Sequence, residues 1–175
     1  MGDVYHECLI KRKMTAIGIA LRVLFVLICI ACILFTVVFG PIAILLGVAF
    51  IYVTRYIFQS TDVEYEYMYL SGECQIDKIC GKMRRKGCGK IEMDKVEIVA
   101  PEGHEALESF EKQVYKLRDF SSLQKDAVRY VVFERKDSSL IKVIFEPNED
   151  IVKEMQLVAP RKVIIKGGKG NLNFF

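Results

Sequence analysis

Apolar and polar positions divide this chain sharply. Between Val23 and Phe58 the polar side chains are few, chiefly Thr36, Thr54, Arg55 and the weakly polar cysteines, whereas charges recur every few residues from Asp62 onward. With its helical shoulders the apolar block runs from about Thr15 to Phe58, near twice the roughly 20 helical residues that a bilayer core of about 30 Å requires. Two spans fit that length and one does not. The break is written at Gly40-Pro41. Proline removes a helical hydrogen bond and favours the first turn, while glycine tolerates the backbone angles that end a preceding helix. The pattern therefore predicts helices over 16–39 and 42–58. Their short connection makes them antiparallel, with both ends emerging on the same side.

The periodicity then changes from helical to alternating. In Val63-Glu64-Tyr65-Glu66-Tyr67-Met68-Tyr69-Leu70, Val63 and the tyrosines share one face and the two glutamates the other, wet one, as in a half-buried strand. Ser71-Gly72 supplies a tight turn into an antiparallel partner, Glu73 to Ile79. Further strands are predicted over 82–85, 91–99, 114–117, 128–135 and 140–145, with Gly87-Cys88-Gly89 and Lys136-Asp137-Ser138-Ser139 as turns. Residues 102–111 read as a short helix or loop. A last helix is expected from Pro147-Asn148 to about Val158, capped by Asn148, with Ile151, Met155 and Val158 on one face and Pro160 as its stop.

Roughly seven antiparallel strands followed by one amphipathic helix is the order of a pleckstrin-homology-like (PH-like) fold. The expected class is an α+β membrane protein: an N-terminal two-helix transmembrane hairpin, then an antiparallel PH-like β-sandwich or barrel with a C-terminal helix. Its parts would be a cytoplasmic N-terminal segment (1–14), the hairpin (15–60), the PH-like cytoplasmic domain (62–160) and a tail (161–175). The runs Glu64-Tyr65-Glu66-Tyr67, Gly72-Glu73, Ile76-Asp77-Lys78-Ile79, Arg84-Arg85-Lys86 and Val96-Glu97-Ile98-Val99-Ala100-Pro101 carry a family resemblance. Through them the chain resembles a family of small two-span membrane proteins of Gram-positive anaerobes that bear a bacterial PH-like domain. The resemblance covers most of the chain and implies this architecture. It brings no activity with it.

Charge orients the hairpin. Lys11, Arg12 and Lys13 precede the first span and Arg55 sits in the last turn of the second, while Gly40-Pro41 carries no basic residue. The positive-inside bias then places both termini in the cytoplasm of a plasma-membrane protein with two spans. Arg22 and Arg55 lie close enough to the span ends to extend to the headgroups. A cleaved leader is not expected, because the apolar stretch starts late, is too long and lacks a small-residue cleavage site. Lys11, Arg12, Lys13, Arg22 and Arg55, set against Asp3 and Glu7, account for the net charge of +3 and leave 20 basic and 20 acidic residues in 62–175. A neutral domain lacks the field of a nucleic-acid binder. Of the six cysteines, Cys8, Cys29, Cys32, Cys74, Cys80 and Cys88, the pair Cys29 and Cys32 lies one helical turn apart inside the apolar block and reads as small packing residues, while Cys74, Cys80 and Cys88 are an odd set without paired CxxC spacing, so reduced thiols are expected and no metal site.

The one local excess of charge is Lys82-Met83-Arg84-Arg85-Lys86-Gly87-Cys88-Gly89-Lys90. Lys82, Arg84, Arg85, Lys86 and Lys90 are candidates for contact with anionic lipid, since arginine and backbone amides grip phosphates. A solvated basic turn, general attraction to anionic lipid and specific headgroup binding all remain open, in that order. Lys166-Gly167-Gly168-Lys169-Gly170 lacks the spacing of a phosphate loop and reads as tail. His6 and His104 are the only histidines, and no nucleophile elbow or HExxH is present, so no catalytic residue and no cofactor are assigned. The expected function is a non-enzymatic binding module held at the inner leaflet, with a protein partner or self-association and no small-molecule substrate. A structural subunit of a larger membrane complex is the alternative, with small residues such as Gly18 and Gly47 for close helix contact. An anionic-lipid sensor is the more remote one.

Overall fold

A computed structural model describes residues 5–167, in which the chain forms two compact units. The first takes the chain up to Arg12, then Glu64–Lys78, and then Lys86 onward; the second takes Lys13–Val63 together with Ile79–Arg85.

The second unit is built on the two apolar helices, α1 (Ala16–Phe39) and α2 (Pro41–Thr61). Thr15 starts α1, its hydroxyl accepting from Gly18 N–H at 3.2 Å. A single residue, Gly40, joins the helices at φ +58°, a conformation that costs glycine nothing and that side-chain-bearing residues rarely adopt. They pack as an antiparallel pair whose few polar groups serve each other. Cys29 Sγ lies 3.3 Å from Thr54 Oγ1, and Thr54 in turn donates to the Phe50 carbonyl at 2.7 Å. Arg22 does not run free toward one end of its helix: it donates to the Phe58 carbonyl and Thr61 Oγ1, at 2.9 and 2.8 Å, and lies over the Phe58 ring. A cation on the final carbonyls of α2 also suits the negative end of the helix dipole. Small residues sit where the helices approach, with Gly18 against Thr61 and Gly47 against Cys32. Both helices contain a stretch long and apolar enough to cross a membrane, and little of it is buried.

The strands form two four-stranded sheets, most of whose residues belong to the first unit. One has the order β1 (His6–Lys11), β2 (Val63–Leu70), β3 (Glu73–Cys80), β4 (Arg84–Glu92). The other has the order β5 (Val96–Pro101), β7 (Tyr130–Lys136), β8 (Ser139–Phe145), β6 (Tyr115–Asp119). A one-turn 3-10 helix (Glu105–Leu107) and a short α3 (Glu108–Glu111) link β5 to β6, and α4 (Glu149–Val158) follows β8.

Strand β1 corrects the expected boundaries. The segment before the helices pairs antiparallel with β2, from His6↔Tyr69 to Lys11↔Glu64, so the helical hairpin is an insertion between two adjacent strands. Residues 5–10 carry no clean alternation by which to foresee this. Arg12 is held in the same unit, donating to Tyr65 Oη at 2.6 Å and to the Asp119 carbonyl at 3.3 Å.

The tail starts later than expected. Val99 N–H donates to the Lys162 carbonyl and Ile164 N–H to the Val99 carbonyl, at 2.7 and 2.8 Å, and Val163 and Ile164 are buried. These contacts cover the outer edge of β5, which would otherwise present unpaired backbone groups. Residues 168–170 of the glycine-rich stretch, with Leu172, Phe174 and Phe175, lie outside the described residues.

The sheets are not wholly antiparallel, because β6 runs parallel to β8. Its direction follows from the crossing loop between Asp119 and Tyr130. Phe120 N–H extends the ladder onto the Ile144 carbonyl, and the buried Tyr67 hydroxyl donates to the Phe120 carbonyl at 2.8 Å. Ser122 then gives both its N–H and its hydroxyl to Glu146 Oε1, at 2.9 and 3.0 Å.

One core cluster gathers Ile98, Ala100, Val131, Phe133 and Leu140 around Leu107 and Ile164, with Phe110 stacked on Phe133. In α4 the Asn148 side chain accepts from Ile151 N–H at 3.0 Å, and Ile151, Val152 and Met155 are buried. Val158, expected on that buried face, is exposed, and Val152 takes its place.

Candidate functional site

The basic segment owes its geometry to a turn other than the one expected. Gly87-Cys88-Gly89 lies within β4, not between strands. The chain reverses earlier, at Gly81-Lys82, where φ is +56° and +58° and Met83 N–H donates to the Cys80 carbonyl at 3.2 Å. Two consecutive positive-φ residues define the hairpin turn that matches strand twist. The glycines of β4 have another use: a side chain at Gly89 would meet Arg118 and the Phe120 ring. Likewise the strand expected over 91–99 is broken by a turn at Met93-Asp94-Lys95, where Lys95 N–H donates to the Glu92 carbonyl and the Lys95 ammonium pairs with the Glu92 carboxylate.

Placement of the β3–β4 turn is specific. Gly81 N–H donates to the Asp62 carbonyl at 2.8 Å, just past the end of α2. A Cβ at Gly81 would lie 2.8 Å from Gln59 Cβ and 2.9 Å from its Cα, so only glycine permits this approach. The Gln59 amide points to Met83 Sδ at 3.8 Å, and the Arg84 guanidinium stands 5.2 Å from the centre of the Tyr56 ring. Lys82, Met83, Arg84 and Arg85 are all exposed, Met83 to 76%.

Of the five candidate cations, Lys82, Arg84 and Arg85 therefore belong to the turn and group with the helices. Lys86 is exposed on β4. Lys90 lies roughly 13 Å further along that strand than Lys86. It pairs with Glu73 Oε2 at 2.6 Å and approaches Glu92 at 3.9 Å, so its charge is answered locally.

Both histidines have partners in the fold. His6 Nε2 lies 3.8 Å from a Glu154 carboxylate oxygen, and His104 Nδ1 caps the 3-10 turn by accepting from Ala106 N–H at 3.2 Å. Burial pushes the Cys74 thiol up to about 12 and the Cys8 thiol upward as well, which keeps both protonated and poorly nucleophilic near neutral pH. Among the described residues no group of three or more His, Cys, Asp and Glu side chains is placed to hold a metal ion. An open depression of about 370 Å³ is lined by Glu102, His104 and Lys166, among other residues.

The buried carboxylates escaped sequence reasoning. Glu66, expected on the wet face of β2, is only 5% exposed, and Glu134 and Glu146 are also buried. Burial raises the Glu134 carboxyl above its ordinary range. Period-two alternation identifies the apolar face of a strand but does not say whether the other face is covered too.

The family model described as bacterial PH-like domain (DUF6106) matches residues 2–165. No curated protein and no solved structure matches the chain.

Proposed function

The chain belongs to the bacterial PH-like domain family, and from that premise we propose that it is a membrane-anchored, non-enzymatic binding module whose PH-like domain stands on the cytoplasmic face of the plasma membrane. The observation that carries this reading is the insertion of two exposed, apolar helices between paired strands of one sheet. Apolar surface on that scale is unfavourable in water and needs a cover, and a bilayer supplies one. Pairing of Lys11 with Glu64 brings both ends of the insertion to one place, so the helices enter and leave on the same side. The basic residues at those ends and their absence at Gly40-Pro41 favour the cytoplasm for that side. Engagement of both histidines and protonation of the buried thiols support binding over catalysis. Edge strand β4, exposed from Arg84 to Gly87, offers backbone groups to a protein partner.

An assembly subunit is the second reading. It is favoured by a groove of about 460 Å³ along the helix pair, lined at helical spacing by Val26, Cys29 and Ile33 of α1 and Ile51, Thr54 and Phe58 of α2.

Extraction and protease protection test the anchor together. The full chain should stay in the membrane pellet through alkaline carbonate, and residues 62–167 should resist protease added outside intact cells yet be digested in inverted vesicles. Release by carbonate would remove the anchor, and digestion from outside would reverse the orientation. Crosslinking in native membranes separates the two roles: a foreign partner supports the binding module, and capture of the chain alone supports assembly.

A further inference from the structure

We infer that the β3–β4 turn is a lipid-binding wedge, in which Met83 enters the boundary between headgroups and acyl chains while Lys82 and Arg84 hold the phosphates of anionic lipid. The inference rests on membrane insertion of α1 and α2, and deepens that reading by giving the module a ligand.

Position is the first argument. The apolar stretch of α2 runs to Thr61. At about 1.5 Å per residue, Gln59 and Tyr56 lie roughly 3 and 8 Å before that end. Each interfacial layer of a bilayer is roughly 5–8 Å thick. A turn whose glycine touches the Gln59 backbone and whose arginine covers the Tyr56 ring is therefore held at the end of the span, where the hydrocarbon meets the headgroup layer. Tyrosine is itself a residue of that layer.

Composition is the second. Residues 79–85 contain no carboxylate, and Lys82, Arg84 and Arg85 are interrupted by a single large apolar residue. An exposed methionine among cations is costly in water and suited to a surface that is anionic outside and apolar beneath. Arginine brings a further advantage over a point charge, since its planar fork matches phosphate oxygens in pairs. Gly81 completes the device, because no other residue brings the turn so close to α2.

The chain has no tryptophan, so Met83→Trp introduces a unique fluorophore at an exposed turn position. The full-length variant is reconstituted into phosphatidylcholine vesicles with and without phosphatidylglycerol, using brominated acyl chains as quencher. A second variant, Leu45→Trp, reports on an exposed position of α2. Expected are quenching of the α2 indole in both lipids, and a blue shift with quenching of the turn indole that grows with phosphatidylglycerol. Adding Lys82→Gln and Arg84→Gln to Met83→Trp should abolish the phosphatidylglycerol-dependent part. Emission from the turn indole that stays water-like while the α2 indole is quenched would overturn the wedge alone and point to a protein partner for the turn. An unquenched α2 indole would overturn the anchor, and the wedge with it. The same shift from inorganic phosphate in phosphatidylcholine vesicles would make a soluble anion the ligand, and a phosphatidylglycerol effect that survives the double substitution would remove the role of the cations.

Discussion

Tyr67 shows what one side chain contributes here. Its ring meets Phe145 edge-on at 5.7 Å, and its hydroxyl donates to the Phe120 carbonyl while accepting from Glu146 N–H, so a residue of β2 anchors the crossing loop and the end of β8. Nearby groups are dry enough to shift their titration. Burial lifts Cys74 from the ordinary 9.0 to about 12 and Tyr69 from 10.0 to about 12. Above those ordinary values the unfolded chain releases protons that the folded chain still holds, so folding stability falls as pH rises. The window runs from about 9 to 12 for the thiol and from about 10 to 12 for the phenol. Each group contributes a slope of at most about 1.4 kcal/mol per pH unit. Urea unfolding followed by circular dichroism between pH 8 and about 11 should show this decline, and Cys74→Ala should make it shallower. An unchanged slope in that variant would exclude the buried thiol as a cause.

Among the elements, the β3–β4 hairpin is the one whose turn the glycine pattern misplaces. Three glycines lie close together in sequence, and Gly87-Cys88-Gly89 offers the more obvious reversal. The choice of Gly81-Lys82 depends on α2, which leaves room for no Cβ at residue 81. Substitution separates the possibilities. Gly81→Ala meets a positive φ and a contact with backbone, and should cost roughly 2 kcal/mol or more, combining left-handed strain with displacement of the turn. Gly87→Ala enters an exposed strand position with Asp77 Oδ1 at 3.7 Å, and should change stability by less than about 0.5 kcal/mol. Denaturant unfolding of the two variants in detergent checks the pair, and equal losses would contradict the turn at Gly81-Lys82.

For the whole molecule the decisive feature is that one sheet begins before the helices and resumes after them. A domain cut at residue 62 lacks β1 and leaves the β2 edge, with Tyr65, Tyr67 and Tyr69, without its partner. Residues 62–167 alone should therefore aggregate, whereas joining residues 5–12 to 63–167 through a short Asn-Gly linker should yield a soluble domain that melts cooperatively by circular dichroism. Equal behaviour of the two would make β1 dispensable. Local pattern was enough to specify the apolar helices, their break at Gly40, the Ser71-Gly72 turn and the Asn148 cap, because each is a local consequence of length, periodicity or one side chain bonding a nearby backbone group. It also picked out Lys82, Arg84 and Arg85 as a cluster of charge. Long-range contacts were needed to establish that β1 joins the sheet, that β6 runs parallel to β8, that Glu66 is buried and that the basic turn rests against the end of α2. Those are matters of which distant segments meet, and a one-dimensional pattern gives the faces of an element without saying what covers them.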